Sequence, residues 1–186
     1  SRTGEDYTVS CQHILQALER CALEQSPSPD PFVVIGEVWK LGMQFKDISG
    51  RFRQQREAAT ELVFACHDLL PEDLETHQAY ARRFENLEDL LAYSEVRDPL
   101  FATDTDRFHR TPGPGVEEQA RALVAMGGYD GLILKDPNAP YTIGLAKEGQ
   151  IVKVKPTFSL DLRVTDVFVE KGERTGRDVF SIEVEY

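Results

Sequence analysis

Hydrophobic positions along the 186-residue chain repeat with two different periods. In three segments the apolar side chains recur every three to four positions, which predicts amphipathic helices. The helical segments are 8–25, 75–92 and 117–126. In four others, short apolar and β-branched runs predict buried strands. These strands are 32–40, 61–67, 132–134 and 150–155.

From residue 158 onward the pattern changes to alternation of apolar and polar residues. This alternation, interrupted by a charged turn at 171–177, predicts a β-hairpin that begins a second, all-β unit. Proline and glycine at 97–115 predict a surface connection. We therefore expect an α+β fold with mainly antiparallel strands, divided into residues 1–156 and 157–186.

Composition excludes several classes of protein. The chain has 21 Lys+Arg against 32 Asp+Glu, a net charge of −11, which counts against anionic membranes and against a nucleic-acid partner. No apolar run approaches the roughly 20 residues of a membrane span. Three cysteines without Cys-x-x-Cys spacing predict reduced thiols in a cytoplasmic protein, and neither a disulfide framework nor a zinc site.

Five short motifs follow one another along the chain, whereas no phosphate-binding Gly-x-x-x-x-Gly-Lys loop and no His-Glu-x-x-His is present. The motifs are Ser1-Arg2-Thr3-Gly4; Ile35-Gly36-Glu37-Val38-Trp39 with Phe45-Lys46-Asp47-Ile48-Ser49-Gly50; Phe64-Ala65-Cys66-His67-Asp68-Leu69-Leu70; Tyr129-Asp130-Gly131-Leu132-Ile133-Leu134-Lys135-Asp136-Pro137; and Ile151-Val152-Lys153-Val154-Lys155-Pro156. In this order they resemble the covalent nucleotidyltransferases, most closely the short, phage-like ATP-dependent DNA ligases.

The resemblance covers nearly the whole chain and has several implications. It implies an ATP-grasp-like nucleotidyltransferase domain of antiparallel sheets with flanking helices, followed by the beginning of an OB-fold. It implies ATP and Mg²⁺ as cofactors, nicked duplex DNA as the partner, and a monomer that acts in DNA repair or replication. An RNA ligase, an mRNA-capping guanylyltransferase and an inactive nick- or nucleotide-binding module remain as alternatives.

Lys153 and Lys155 alternate on a predicted strand, so both side chains point to one face. Two ammonium groups on one face can neutralise a polyphosphate and stabilise charge on a leaving group. The alternative is a solvated Lys-x-Lys on an edge strand. The Lys-x-Lys pair is the next motif after Lys135-Asp136-Pro137, and this position favours the phosphate role.

Asp130 and Lys135 bracket an apolar strand. A carboxylate here suits Mg²⁺, which prefers oxygen ligands, although family members usually carry Glu. The resemblance implies that Lys135 contacts the nucleotide phosphate. The alternatives are a turn residue for Asp130 and a surface lysine for Lys135.

Glu37 stands in an apolar strand, where a buried carboxylate needs a partner. The resemblance implies that Glu37 binds ribose and assists the metal, although Ile35 stands where the family has Asp.

His67 replaces the aromatic residue that stacks on adenine in the family, and an imidazole can also stack on a base. A satisfied core or capping histidine is the alternative for His67.

Arginine suits phosphate because its planar group binds two oxygens at once. Arg2 matches the family arginine that contacts nucleic-acid phosphate, with a frayed terminus as the alternative. Arg51 and Arg53 could add phosphate contacts.

Four aromatic residues are predicted to lie in the core, because their neighbours are apolar. They are Trp39, Phe45, Phe32 and Phe64.

The family nucleophile is a lysine in Lys-x-Asp-Gly, a motif that these 186 residues do not contain. Its deprotonated amine attacks the α-phosphate and carries AMP, so we expect the chain as given not to form that intermediate. Two explanations stay open: the chain is part of a longer ligase, or it is a relative that only binds.

Overall fold

The structure, a computed structural model, describes residues 5–94, 99–103, 114–127, 129–144, 146–157, 160–172 and 176–185. The chain divides into two compact units, Ser1–Lys155 and Pro156–Tyr186. The helices are α1 (Thr8–Gln25), α2 (Phe45–Gln54), α3 (Tyr80–Leu91) and α4 (Pro114–Met126). The strands are β1 (Phe32–Trp39), β2 (Val63–Pro71), β3 (Leu100–Ala102), β4 (Leu132–Lys135), β5 (Ile151–Val154), β6 (Arg163–Lys171) and β7 (Asp178–Glu185).

The first sheet has the order β1-β2-β3, with β1 antiparallel and β3 parallel to β2. The prediction of a surface connection over 97–115 is therefore wrong at Leu100–Ala102, where Leu100 is buried. Three residues are too few to show the alternation by which a strand is recognised in a sequence.

Helices α1 and α3 build the core together with this sheet, which confirms their predicted amphipathic character. The buried cluster consists of Ile14, Ala17, Cys21, Ala22, Cys66, Phe84, Leu87, Leu90 and Leu100. The three cysteines carry free thiols, as expected.

Helix α3 begins at Tyr80 and not at residue 75. Two side chains before it accept backbone hydrogen bonds and so compete with helix formation: Asp73 Oδ1 from Glu75 N–H (2.9 Å) and Thr76 Oγ1 from Gln78 N–H (3.1 Å). The helix starts where its first free amide groups find partners in the loop after β4. Tyr80 N–H donates to the carbonyl of Ala139, at 2.9 Å.

The remaining strands form two antiparallel pairs, β4–β5 in the first unit and β6–β7 in the second. The β6–β7 hairpin was predicted, whereas β4 and β5 were predicted as strands without their pairing. The α+β class with small antiparallel sheets and helices is confirmed. The interpretation of β6–β7 as the beginning of an OB-fold stays a prediction. No helix within the described ranges is long and apolar enough to span a membrane.

Candidate active site

The β4–β5 pair brings three predicted lysines to one face. Ile133 lies opposite Lys153, and Lys135 lies opposite Ile151. Because side chains of opposed residues and of every second residue share a face, Lys135, Lys153 and the following Lys155 all point to the same side. Lys153 and Lys155 are exposed, so this face can receive an anion.

A glycine fixes the edge of this lysine face. Gly131 has φ +137°, and a Cβ atom there would lie 2.1 Å from the carbonyl oxygen of Val154. Only glycine permits this approach of the two chains. The approach brings Asp130 next to Lys155, whose Nζ donates to Asp130 Oδ2 at 2.7 Å. This hydrogen bond lowers the pKa of Asp130 and raises the pKa of Lys155.

Lys135 is the largely buried member of the three. Its Nζ lies 4.2 Å from the centre of the Tyr80 ring and donates to the carbonyl of His67 at 3.2 Å. The Tyr80 hydroxyl donates to the same carbonyl, at 3.2 Å. Burial, which disfavours the ammonium form, lowers the pKa of Lys135 to about 8.

His67 lies at a β-bulge. Ile35 pairs with Asp68 and Gly36 with Cys66, so His67 has no opposed residue on β1. Bulges redirect a side chain and are frequent beside active sites. Burial, together with the charge of Lys135, lowers the pKa of His67 to about 4.

The imidazole is therefore neutral at physiological pH. Lys135 Nζ lies 3.2 Å from His67 Nδ1. Because an ammonium group only donates, Nδ1 is the acceptor and we assign the proton to Nε2. Lys135 thus fixes both the tautomer and the orientation of the ring that was predicted to stack on adenine.

A buried ion pair beside Lys135 was missed in the sequence. Arg83 Nε and one terminal nitrogen donate to the two oxygens of Asp68, at 2.8 and 3.0 Å. Arg83 is 3% exposed and Asp68 is 5% exposed. Arg83 also donates to the carbonyl of Ala139, at 3.2 Å. The pair joins β2, α3 and the loop that follows β4, the strand on which Lys135 lies.

The helical periodicity of α3 indicates that Arg83 is buried. Arg83 precedes Leu87 by four residues and Leu90 by seven, so it shares their buried face. A charged residue on that face needs a partner. Asp68 gave no such signal, because only the folded chain brings it to Arg83.

Glu37 lies on β1 opposite Ala65. The residue is exposed, so its carboxylate does not need a protein partner to offset burial. The preceding Gly36 allows a close approach of β2: a Cβ atom there would lie 2.5 Å from the carbonyl oxygen of Ala65. Among the described residues the Glu37 carboxylate has no ion-pair or hydrogen-bond partner.

The three arginines predicted to contact nucleic acid differ in their surroundings. Arg2 lies outside the described residues. Arg53 is exposed in the last turn of α2, whereas Arg51 pairs with Glu61. The prediction of Phe45 as core is wrong, because it is 82% exposed at the first position of α2.

The other three predicted core aromatics are partly buried. Phe32 and Phe64 pack against the core. Trp39 lies against Phe101 and Tyr129, with ring centres 5.9 and 6.0 Å apart. These three side chains pack against other apolar groups, as predicted for core residues, but none of them is fully buried.

A protein-only metal cage is absent from the part of the chain that the structure describes, since no group of three His, Cys, Asp or Glu side chains converges there. Mg²⁺ commonly uses one or two carboxylates together with phosphate oxygens and water. Glu37, which is exposed and unpaired among these residues, fits that role. Asp130 fits it only if Lys155 releases the carboxylate.

Sequence comparison places the chain in a family. Residues 1–155 match the family described as ATP dependent DNA ligase domain, and the chain belongs to it. A probable DNA ligase of Mycobacterium sp. (strain KMS) is 32% identical over 137 residues, which are 72% of this chain and 24% of that protein. A DNA ligase of Haloferax volcanii is 28% identical over 94% of this chain and 30% of its own length.

Structural comparison agrees on the fold. The crystal structure of Chlorella virus DNA ligase-adenylate matches with a TM-score of 0.60 at 18% identity, over 100% of this chain and 67% of that one. The α+β nucleotidyltransferase fold is thereby confirmed. The chain covers only 24% and 30% of the lengths of these two curated relatives.

Proposed function

We propose that this chain acts in ATP-dependent sealing of nicked duplex DNA, as part of the catalytic core. The observation that carries the proposal is the lysine face of β4–β5. Lys135, Lys153 and Lys155 share one face, and two of them are open to solvent. Three cations on one face suit the phosphates of a nucleotide and of a DNA 5′ end.

The proposed roles follow the chemistry of each side chain. Lys153 and Lys155 neutralise phosphate charge, and Lys135 contacts the phosphate of the adenylate. His67 presents its ring to adenine. Arg2 and Arg53 contact DNA phosphates, as arginine geometry favours.

Glu37 and Asp130 are the proposed ligands of Mg²⁺ and ribose. Bound Mg²⁺ would neutralise charge on phosphate oxygens. Asp130 already stabilises the charge of Lys155 through a 2.7 Å contact. A phosphate oxygen could replace the Asp130 carboxylate as the partner of Lys155. Because Asp130 is exposed, this exchange would leave no unpaired charge buried.

The last step of sealing uses these residues without the lysine nucleophile. The 3′-hydroxyl oxygen forms a bond to phosphorus of the adenylated 5′-phosphate and loses its proton. The bond from that phosphorus to AMP breaks, and AMP leaves with the electron pair. Cations beside the leaving phosphate stabilise the charge that develops on it.

The test is therefore made on a nick whose 5′-phosphate is already joined to AMP. The 186-residue chain is incubated with this DNA and Mg²⁺, and joined strands are counted after denaturing electrophoresis. We expect sealing of the adenylated DNA nick, and no sealing of a nick with a plain 5′-phosphate. Absence of sealing would refute the proposal, and binding without sealing would favour the inactive binding module.

A second substrate separates the nucleic-acid classes. The same nick placed in duplex RNA tests the RNA ligase alternative. The family match favours DNA. Faster sealing of RNA than of DNA would overturn this preference.

A further inference from the structure

Tyr80, the first residue of α3, is bonded to the segment that follows Lys135. Its N–H donates to the carbonyl of Ala139, and the N–H of Ala81 donates to the carbonyl of Pro137, both at 2.9 Å. The first amide groups of a helix have no partner within the helix, and here the loop after β4 supplies one. The start of α3 therefore keeps Tyr80 beside the strand that carries Lys135.

The Tyr80 side chain contacts Lys135 itself. The Lys135 ammonium nitrogen lies over the ring, 4.2 Å from its centre, which is within the range of a cation–π interaction. The Tyr80 hydroxyl and Lys135 Nζ also donate to one acceptor, the carbonyl of His67, each at 3.2 Å. One side chain thus contacts the charge of Lys135 and shares its acceptor, and both contacts restrict where the charge lies.

The core in turn restricts Tyr80. Its ring centre lies 5.9 Å from that of Phe84, a buried residue one turn further along α3. Tyr80 packs against the buried cluster to which Phe84 belongs. The guanidinium carbon of Arg83 also lies 5.7 Å from the Tyr80 ring centre. Close packing leaves the ring little freedom, so Tyr80 is a rigid support for Lys135.

We propose that Tyr80 is a positioning residue for phosphate transfer, because its ring and hydroxyl hold the Lys135 ammonium where it meets the adenylate phosphate. Lysine carries its charge on a flexible four-carbon stem, so a group that fixes the charge beforehand reduces the cost of binding phosphate. The role of Lys135 in transfer rests on the proposed function. The contact between Tyr80 and Lys135 does not, so it can be tested separately.

The groups that face Lys135 make its charge measurable. Burial raises the pKa of Tyr80 to about 12, so its hydroxyl stays a donor at about pH 10. His67, with a pKa of about 4, is neutral above about pH 6. Asp68 and Arg83 also act on Lys135, and they do so as a hydrogen-bonded ion pair. Between these limits of pH a titration in this cluster therefore reports on Lys135.

The first measurement uses the unaltered 186-residue chain. Protons above the face of an aromatic ring resonate upfield, so the Hε signals of Lys135 should lie upfield of those of Lys147 and Lys153, which are exposed. The chain is labelled with ¹³C-lysine, and Lys135→Arg identifies the signal by its absence. A Lys135 signal at the position of the exposed lysines would overturn the proposal.

Two substitutions separate the ring from the hydroxyl. Tyr80→Leu removes the cation–π interaction and leaves an apolar side chain over Lys135, whereas Tyr80→Phe removes only the hydroxyl. Because a cation–π interaction favours the ammonium form, Tyr80→Leu should lower the pKa of Lys135 from about 8 by about one unit. Tyr80→Phe keeps the ring and should not lower this pKa.

The same shift should appear in sealing of the adenylated nick. We expect the fall of kcat/KM at high pH to begin about one pH unit lower in Tyr80→Leu than in the wild type, and at the wild-type pH in Tyr80→Phe. A substitution that only damaged the fold would slow sealing at every pH and leave the midpoint in place, and this result would overturn the proposal. If Tyr80→Leu does not fold by circular dichroism, Tyr80→Met takes its place.

Tyr141→Leu is the matched control. The Tyr141 ring centre lies 6.0 Å from the guanidinium carbon of Arg83, close to the distance of 5.7 Å found for Tyr80. The control therefore removes a comparable ring from Arg83 and should leave the titration of Lys135 unchanged. Equal shifts in the two variants would assign the effect to Arg83 and overturn the proposal.

The outcomes separate this role from the proposed function. Sealing whose pH midpoint is the same in the wild type and in Tyr80→Leu refutes the positioning role and leaves the function. An upfield Lys135 signal and a lowered pKa in Tyr80→Leu, without sealing by any of the proteins, refute the function and leave the contact that positions Lys135.

Discussion

Two of the carboxylate–cation pairs among the described residues have similar lengths but differ in burial. Asp68 and Arg83 meet at 2.8 Å with almost no exposure, whereas Asp130 and Lys155 meet at 2.7 Å in solvent. Burial removes water as a competitor and makes an unpaired charge costly. The buried pair therefore fixes the structure, and the exposed pair is free to exchange partners.

The largest expected effect is the loss of the buried pair. Arg83→Met leaves the Asp68 carboxylate buried without its partner, and we expect the free energy of unfolding to fall by about 3–5 kcal/mol. Urea denaturation measures this change. Arg82→Met is the matched control, because Arg82 is exposed on the same helix and pairs with Glu85.

A double variant tests the reason for that loss. Asp68→Leu combined with Arg83→Met removes both charges, and we expect it to recover part of the stability. If the double variant is less stable than Arg83→Met alone, the uncompensated charge is not the cause. The bonds of Arg83 to backbone carbonyls would then be the dominant contribution.

The comparison of these pairs also explains what a sequence can reveal. The lysine face was predicted in part from Lys153 and Lys155, because a strand's period of two is a local property. Lys135 joined them only through the β4–β5 register. Asp68 with Arg83 depends on contacts between residues 15 positions apart on different elements, and no periodicity encodes such a contact.

Errors at single residues have a similar origin. Phe45 was assigned to the core because its neighbours are apolar, and the apolar neighbours of Glu37 suggested that its carboxylate would need a partner. The α2 helix begins at Phe45 and leaves its ring in solvent, and the β1 strand turns Glu37 outward. Which face of an element is covered depends on the elements that pack against it, and the local sequence does not specify them.

Lys153 gives the next largest effect. Lys153→Ala removes an exposed cation from the lysine face, so we expect sealing of the adenylated nick to slow by about 100-fold. The midpoint of urea denaturation should not change measurably. Lys147→Ala is the control, since Lys147 is an exposed lysine in the loop between β4 and β5. Sealing at the normal rate would exclude Lys153 from the site.

Lys135 should confer a pH dependence on sealing. Its pKa of about 8 means that the free protein loses this charge as the pH rises above 8. We expect kcat/KM for the adenylated nick to fall by up to about tenfold per pH unit there. Lys135→Arg keeps its charge and should abolish the fall. A wild-type rate that is flat from pH 7 to 10 would contradict the assignment.

Stability should change in the opposite direction. The pKa of Lys135 is lowered from 10.5 to about 8, so the unfolded chain binds this proton more tightly. The free energy of unfolding attributable to Lys135 therefore rises as the pH increases from about 8 to about 10.5, by at most about 1.4 kcal/mol per unit. Lys135→Met should lack this rise. Equal pH profiles for both proteins would show that Lys135 is not held in a desolvated site.

The smallest effect on stability is expected at the exposed pair. Asp130→Asn removes the charge that faces Lys155, yet solvent replaces the lost contact, and exposed pairs contribute little. The denaturation midpoint should therefore match that of the wild type, while sealing should need a higher Mg²⁺ concentration if Asp130 helps to hold the metal. A clear loss of stability would mean that the pair at the end of β5 is structural. The contrast with Asp68 and Arg83 would then rest on something other than burial.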